Sequence, residues 1–559
     1  MTDENLLDNP KENPVNFPSD RRLRFWVKPR FIILFAVLAV LPLAAAWVQY
    51  LVVGLPVVPN ELNAAPGVVS VLYGFPAWLR VTHYVNFLFI VLLARSGMSI
   101  LMDHPRLYWN SHCTPGTEWM RFTPLEVPTD RVWTAKDDAR YISPWLGLPG
   151  YRHTIGTARH WHLLSALIWL LNGVVFFALV FGTSEWQRLV PVSLQIVPDA
   201  WTIFVHYATF HLPFEPDPTF GYNALQQLSY FTVVFVMAPL SALTGMAMSP
   251  AIDGRFPWYP KLFGGRQAAR SIHMLLLFGY LGFLVMHLTM VVVTGLERNM
   301  NYIVFGANDG KVTGVLLGIL GIGLVVAACY LAHWAAWKHP RGIQYLVRSV
   351  HTFMRHLFFG HIAPNAQFTK KDISPFLWPN GKTPETDEWK SLAANEFKDF
   401  RLKVYGLVEN PIELSLDEMQ AMGKSEQITM HHCIQGWSGV AEWGGLTLAK
   451  LVELVKPKPE AKVCVFHSFG DGLYGGEYYD TQTIENALKS QCILAYEMNY
   501  EPLASLYGAP LRLRVENQLG YKMVKWIKTV EFVASETHVG KGHGGTNEDD
   551  EFFDLIPEI

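Results

Sequence analysis

The sequence predicts a multi-domain protein, in which an all-α membrane bundle of six spans is followed by an α+β soluble domain. Half of the residues are hydrophobic, only 17% are charged and 19 are tryptophan, a balance that ordinary soluble enzymes do not have. The apolar excess ends near residue 337. Beyond it, short strand-like runs alternate with charged and turn residues.

Six segments are long and apolar enough to cross a bilayer, which takes about 20 residues. They are 31–53, 80–102, 160–183, 226–249, 270–295 and 313–336. The segment 188–210 between the third and fourth is interrupted by Pro191 and Pro198, so we expect it to lie at the membrane interface. A seventh span there would put the two ends of the chain on opposite faces.

The loop charges predict the orientation, because Lys and Arg are retained on the cytoplasmic side. They cluster before the first span, between the second and third, between the fourth and fifth, and after the sixth. Both termini and the soluble domain are therefore predicted on the cytoplasmic face of a bacterial-type inner (plasma) membrane. The N-terminal stretch "DRRLRFWVKPRF" is similar to a twin-arginine export signal, but its phenylalanine is out of register and five further spans follow.

The cysteine pattern excludes several cofactor classes. The five cysteines form no C-x-x-C pair, and they are Cys113, Cys329, Cys433, Cys464 and Cys492. This argues against an iron–sulfur cluster, a zinc ribbon, a covalent c-type haem and a disulfide framework. The net charge of −3 identifies no partner, and no nucleic-acid-binding motif is present.

Two histidines in the fifth span are spaced for stacked metal sites. His273 and His287 are fourteen residues apart, close to four helical turns, so they share a helix face about 21 Å apart along the axis. Ionisable groups at membrane depth are costly and are often functional. A single such histidine is commonly only an interhelical hydrogen-bond partner, but a pair at this spacing suits two haem irons stacked across a bilayer.

The predicted topology also supplies a second ligand at each depth. His83 begins a span that descends from outside, and His162 begins one that rises from inside. The depth argument therefore pairs His83 with His287 and His162 with His273. His160 competes with His162 for the inner site, and the sequence leaves that choice open.

The motifs around these histidines resemble a known family. They are "RVTHYVNFLF", "ARHWHLLSALI", "YNALQQLSYFTVVFVMAPLSALTGM" and the His-x13-His span. Together they resemble the di-haem, cytochrome b561-like subunits of respiratory formate dehydrogenases and nickel hydrogenases. The resemblance implies a four-helix core with two b haems, which exchanges electrons between a catalytic partner and membrane quinone.

The chain divides into five predicted parts. A cytoplasmic segment (1–30) precedes the membrane domain (31–336), and an interfacial helix with a Pro-rich linker (337–395) leads into the α+β domain (396–535). Strands are predicted at "FRLKVYGLV", "AKVCVFHSF", "QCILAYEMNY", "PLRLRVEN" and "MVKWIKTVEFV", and helices at "LTLAKLVELV" and "TQTIENALKS". The acidic, Gly-rich segment 536–559 is expected to be flexible.

The soluble part resembles a second family. Its motifs are "FRLKVYGLVENPIELSLDEM", "HHCIQGWSGVAEWGGLTLAKLVE" and "GAPLRLRVENQLGYKMVKWIKTVEFV". They are similar to the molybdopterin-binding domain of sulfite oxidases and methionine-sulfoxide-reductase catalytic subunits. By itself Cys433 would most often be a small buried apolar residue, but the resemblance makes it the thiolate ligand of molybdenum. It also implies cofactor contacts at Arg512, Lys522, Lys525, Ser468 and Asn380.

These features predict a membrane-bound molybdenum oxidoreductase. Oxygen-atom-transfer chemistry at a Cys433-ligated molybdopterin would be coupled through two b haems to quinone or quinol, with a small-molecule oxo donor or acceptor. One alternative is a quinol-driven S-oxide or N-oxide reductase running in reverse, and another is a non-catalytic relay whose molybdopterin fold holds no metal. The sequence leaves the substrate, the electron direction and a homo-oligomeric state open.

Overall fold

The computed structural model describes residues 25–58, 74–124, 126–150, 154–183, 185–212, 222–472 and 475–559. The predicted segment 1–30 therefore lies mostly outside the described residues. The first part of the chain is helical, with one small three-stranded sheet of β1 (Trp26–Val27), β2 (Arg106–Leu107) and β3 (Met120–Arg121) in the order β1-β3-β2. Its helices are α1 (Pro29–Val53), α2 (Ala77–Asp103), α3 (Ala135–Asp138), α4 (Ile155–Gly182), α5 (Trp186–Leu189), α6 (Ile196–Ala208), α7 (Ala224–Phe231), α8 (Ala238–Ala247), α9 (Pro250–Arg255), α10 (Trp258–Lys261), α11 (Arg266–Val293), α12 (Leu296–Phe305), α13 (Thr313–Lys338) and α14 (Pro340–Phe359).

Six helices among the described residues are long and apolar enough to cross a membrane, as predicted. They are Pro29–Val53, Ala77–Asp103, Ile155–Gly182, Ala224–Ala247, Arg266–Val293 and Thr313–Lys338. The fourth consists of α7 and α8 joined through a π-helical turn at Thr232–Met237. The segment predicted to be interfacial forms the short helices α5 and α6, and Trp201 of α6 donates a hydrogen bond to Gln49 of α1 (2.8 Å).

The helix α14 has the two-faced character predicted for an interfacial helix. Its large apolar side chains include Leu346, Phe353 and Leu357, which are more than half exposed. Gln344 and Val347 on the other face are buried. Such a distribution suits a helix with one face toward lipid headgroups and the other toward protein.

The second part of the chain is α+β, as predicted. Its helices are α15 (Asp387–Ala394), α16 (Leu416–Ala421), α17 (Leu448–Val455), α18 (Ile484–Ala487) and α19 (Thr546–Asp550). Its strands are β4 (Leu402–Gly406), β5 (Ile412–Leu414), β6 (Ser425–His432), β7 (Ser438–Thr447), β8 (Val463–Asp471), β9 (Glu477–Thr483), β10 (Cys492–Met498), β11 (Glu501–Pro502), β12 (Arg512–Val515) and β13 (Ile527–Val533).

These strands form two five-stranded sheets. One has the order β11-β10-β7-β6 with β12 on β10, and the other has the order β5-β4-β13-β8-β9. No strand was predicted for the hairpin of β6 and β7. The strand β7 carries three glycines and is buried along nearly its whole length. Such a strand shows none of the apolar–polar alternation that predicts a half-buried strand.

The two parts share one hydrophobic core. Tyr108, Cys113 and Ile155 of the membrane part belong to the same buried cluster as Cys433 and Trp437. The soluble domain is therefore packed onto the helical bundle at the end where α2 finishes and where α4 and α11 begin. This packing fixes the position of the Cys433 turn relative to the membrane histidines.

The segment 536–559 differs from the flexible tail that was predicted. Phe552, Phe553 and Glu548 are buried, and Arg341 donates hydrogen bonds to the carbonyl oxygens of Glu548 (2.6 Å) and Asp549 (2.7 Å). The acidic composition suggested a solvated tail, but its charges have buried partners. The segment connects the soluble domain back to the bundle.

Candidate functional site

The four membrane histidines form two facing pairs. The ring centroids of His83 and His287 are 6.4 Å apart, and those of His162 and His273 are 6.5 Å apart. These are the two pairs that the depth argument selected. A metal bound between two imidazoles at about 2 Å from each nitrogen, together with the width of the rings, separates the ring centres by roughly 6 Å.

In three of these four histidines, the Nδ1 atom lies within hydrogen-bond distance of a hydroxyl group on a neighbouring helix. The Nδ1 atom of His162 is 3.0 Å from Ser96 Oγ, that of His273 is 3.0 Å from Thr244 Oγ1, and that of His287 is 3.5 Å from the Tyr230 hydroxyl. A hydrogen bond at Nδ1 orients a ring and leaves Nε2 for a metal. These hydroxyls could not be predicted from the sequence, because Ser and Thr in a span commonly bond only to their own helix and nothing local to Tyr230 shows which ring it faces.

His160, the alternative ligand for the inner metal site, is paired with a carboxylate. His160 is buried, and its Nε2 lies 3.2 Å from both carboxylate oxygens of Asp554. The structure thus places His162, and not His160, opposite His273. His160 instead contributes to the contact between the bundle and the segment 536–559.

Cys433 lies on the turn between β6 and β7. The turn is closed by hydrogen bonds from Cys433 N to Trp437 O (3.1 Å) and from Gly436 N to Cys433 O (3.0 Å). Gly436 has a φ of +99°, a left-handed conformation that favours glycine. Cys433 is 3% exposed, and its Sγ is 3.7 Å from the side-chain oxygen of Gln435. Burial raises the pKa of the Cys433 thiol to about 12.

The Cys433 turn contacts the ends of three spans directly. Gln435 donates to the carbonyl oxygen of Asp103 at the end of α2 (3.2 Å). Arg266 and Gln267 at the start of α11 donate to Gly436 O (3.2 and 3.0 Å), and Arg159 of α4 donates to Ile434 O (3.4 Å). No motif in the sequence predicted these contacts, because they join residues more than 150 positions apart.

Two buried cations lie near this turn without an acidic partner. Arg512 and Lys525 are 6% and 9% exposed, and among the described residues neither forms a salt bridge and Arg512 Nε has no hydrogen-bond partner. Burial and the neighbouring Arg514 lower the pKa of Arg512 to about 9, and burial with Arg512 lowers the pKa of Lys525. Such a pair of cations is suited to an anionic ligand.

Comparisons with known proteins agree with both halves of this arrangement. A family described as prokaryotic cytochrome b561 matches residues 74–306, and one described as oxidoreductase molybdopterin binding domain matches residues 390–539. The uncharacterized oxidoreductase YuiH of Bacillus subtilis is 31% identical over 143 residues, which are 25% of this chain and 68% of that protein. The chain belongs to the molybdopterin-binding oxidoreductases. It joins their domain to a cytochrome b561 domain in one polypeptide.

Two further relatives carry names that mention methionine sulfoxide. The catalytic subunit MsrP of a protein-methionine-sulfoxide reductase from Xanthomonas axonopodis pv. citri is 30% identical over 161 residues, covering 27% of this chain and 50% of that one. The putative subunit YedZ1 of such a reductase from Azospira oryzae is 34% identical over 131 residues, covering 23% and 48%. The chain thus spans about half the length of these curated relatives.

The residues of the molybdopterin-binding domain fit the group that its family binds. Arg512 and Lys525 supply buried positive charge for a phosphate, and Cys433 supplies a soft sulfur ligand. Ser468 donates to the carbonyl oxygen of Lys525 (2.8 Å), which makes it a support for that lysine. Asn380 is exposed and is followed by Gly381, where an added Cβ would lie 4.0 Å from Lys525 Cε.

Lys522, another predicted cofactor contact, is paired with buried acids. Its ammonium group forms ion pairs with Asp480 and with Glu548 (2.7 Å), and all three side chains are at most 1% exposed. The single positive charge of Lys522 can neutralise only one of the two carboxylates. Burial and the neighbouring Glu548 raise the pKa of Asp480. Unlike Arg512 and Lys525, Lys522 thus has acidic partners, one of which, Glu548, lies on α19.

Proposed function

We propose that this chain is a membrane-bound molybdenum oxidoreductase, in which one polypeptide couples substrate chemistry to electron transfer through two b haems. The proposal is carried by one observation, the contact between the Cys433 turn and the ends of the haem-bearing spans. Gln267 lies six residues, about 9 Å of helix, before His273, and Arg159 lies three residues before His162. The metal ligand and the nearer histidine pair are thereby held by the same two helices.

Each group of residues has a distinct task in this proposal. Cys433 would hold the molybdenum, and Arg512 with Lys525 would hold the pterin phosphate. When bound, the molybdenum centre supplies two-electron oxygen-atom transfer, and the haems carry single electrons. His162 and His273 would ligate the haem nearer the molybdopterin-binding domain, and His83 with His287 the farther one, where quinone or quinol would react.

The chain itself shapes the space in which a substrate reacts. The side-chain oxygen of Gln435 lies 3.7 Å from Cys433 Sγ and accepts a hydrogen bond from Trp437 Nε1 (3.2 Å), and its amide donates to Asp103 O of α2, so the buried sulfur is shielded from bulk water. Arg159 and Arg266 are bonded to backbone carbonyl oxygens of the same turn, which places positive charge beside it. This charge favours a small substrate whose oxygen is the negative end of its dipole.

The direction of electron flow distinguishes two forms of the proposal. An oxidase-like form would pass electrons from a small-molecule oxo acceptor to quinone. The reverse, quinol-driven reduction of an S-oxide or N-oxide, is favoured by the two relatives named as methionine-sulfoxide reductase subunits. From the loop charges we infer a cytoplasmic location for the molybdopterin-binding domain and both termini.

Metal analysis combined with haem spectroscopy tests the proposal. The purified protein is expected to contain one molybdenum and two low-spin, bis-histidine haems. A panel of sulfites, S-oxides and N-oxides is then screened by following haem absorbance, both from the oxidised state and after reduction by quinol. Cys433→Ala should stop substrate-dependent haem oxidation or reduction and leave the haem spectrum unchanged. A protein that holds haem without molybdenum would support the relay alternative.

A further inference from the structure

Two buried side chains of the membrane part lie against the molybdopterin-binding domain with unpaired polar atoms. His104 and Tyr108 are fully buried, and their rings stack with centroids 5.8 Å apart and an interplanar angle of 20°. Among the described residues, both ring nitrogens of His104 and the hydroxyl of Tyr108 have no hydrogen-bond partner. Buried polar groups are normally paired, and leaving one unpaired costs free energy.

The pair lies between the two parts of the domain that are predicted to hold the cofactor. Asp103, which precedes His104, accepts a hydrogen bond from Gln435, whose oxygen is 3.7 Å from Cys433 Sγ. On the other side, the His104 ring meets the edge of Trp378 at 5.1 Å. Trp378 is two residues before Asn380 in the chain.

The backbone that carries the pair is fixed by the fifth span. Arg270 donates to His104 O (2.7 Å) and Ser271 donates to Tyr108 O (2.6 Å). With the backbone held and the side chains at 0% exposure, neither ring is placed to reach bulk water. The unpaired polar atoms therefore cannot gain hydrogen bonds from bulk water.

The chemistry of the two rings suits a heteroaromatic ligand. Burial and the charges of Arg270 and Arg106 lower the pKa of His104, so its ring is neutral and offers one donor and one acceptor. The Tyr108 hydroxyl offers one more donor. A pterin has N–H donors and ring-nitrogen acceptors along its edge, which match this set.

We propose that His104 and Tyr108 contact the molybdenum–pterin cofactor, so that the connection after the second span completes the pocket of the molybdopterin-binding domain. The inference rests on the proposed function, because it needs that domain to be loaded. It also means that the membrane domain contributes to cofactor retention as well as exchanging electrons with the molybdopterin-binding domain. A soluble domain cut from this chain would lack one wall of its own site.

The test compares Tyr108→Phe, His104→Phe and the double variant with the wild-type holoenzyme. Tyr108→Phe removes only the hydroxyl group, and His104→Phe keeps an aromatic ring but replaces the imidazole by a larger ring without polar atoms. Tyr302→Phe is the matched control, because Tyr302 is buried at 3% exposure on α12, at the opposite end of the bundle. Molybdenum is measured by mass spectrometry, pterin by fluorescence after oxidation, and haem by its pyridine adduct.

The double variant is expected to keep the wild-type haem content and less than half of the wild-type molybdenum and pterin, with shifted g values of the residual Mo(V) resonance. Unchanged cofactor content and g values in Tyr108→Phe and His104→Phe would overturn the inference while leaving the proposed function intact. A wild-type protein without molybdenum would overturn both. Tyr108→Phe decides by itself if the His104 variant does not accumulate.

Discussion

Replacing Lys522 by methionine tests whether this lysine holds the C-terminal segment or the cofactor. Its ammonium group pairs with Asp480 and Glu548, and all three side chains are almost fully buried. Methionine keeps most of the volume and removes the charge. The carboxylates of Asp480 and Glu548 would then remain buried without a cation. Glu548 lies on α19, so this helix would lose its ion pair with the domain.

The expected effect is large. Removing one partner of a buried ion pair costs about 3–5 kcal/mol, and for a domain of 150–250 residues this lowers the unfolding midpoint by about 10 °C. Converting the acids as well, with Asp480→Asn and Glu548→Gln, should recover most of the loss because no buried charge remains. Lys528→Met is the control, since Lys528 forms a partly exposed pair with Glu388 (2.6 Å) and such pairs contribute little.

Thermal unfolding of the purified protein, with proteolysis of the segment 536–559 as a second measurement, checks the prediction. Lys522→Met should unfold earlier and be cleaved faster in this segment, and protein that remains folded should keep its molybdenum. The reasoning would be refuted by a variant with normal stability and normal cleavage that has lost its cofactor. That result would return Lys522 to the phosphate-binding role suggested by its motif.

Three further predictions concern the haems, the phosphate site and the pH dependence. His162→Ala should lower the haem content from two to one per chain, whereas His160→Ala should keep both haems, because His160 faces Asp554; the pyridine haemochrome spectrum measures the difference. Arg512→Gln should weaken cofactor retention about ten-fold or more, since one charge-assisted hydrogen bond contributes about 1.5–3 kcal/mol; equal molybdenum content after extended dialysis would contradict this. Burial lowers the pKa of His467, but hydrogen bonds and charges of two carboxylates outweigh it and raise the pKa. The stabilisation by His467 is thus complete below about pH 6.5 and is lost as the pH rises through the raised value, so the unfolding midpoint of the wild type should fall more between pH 6 and pH 9 than that of His467→Asn.

The sequence by itself determined the parts of the protein whose signals are local. Six spans follow from continuous apolar length, because the bilayer requires about 20 such residues whatever the neighbours are. The pairing of His83 with His287 and of His162 with His273 follows from their depth in the membrane, because the direction of a span and the position of a residue along it fix that depth. The strands β4, β8, β10, β12 and β13 follow from their composition, and the family from separated motifs.

Only the tertiary structure decided which groups meet across the chain. Lys522 belongs to the same basic motif as Lys525, yet its partners are acids that lie 42 and 26 positions away. His160 and His162 differ by two residues, which is about half a turn of a helix, so one faces Asp554 and the other faces His273. The contact of Gln435 with Asp103 spans 332 positions. Such contacts depend on the packing of the domain against the bundle, which no local pattern of residues encodes.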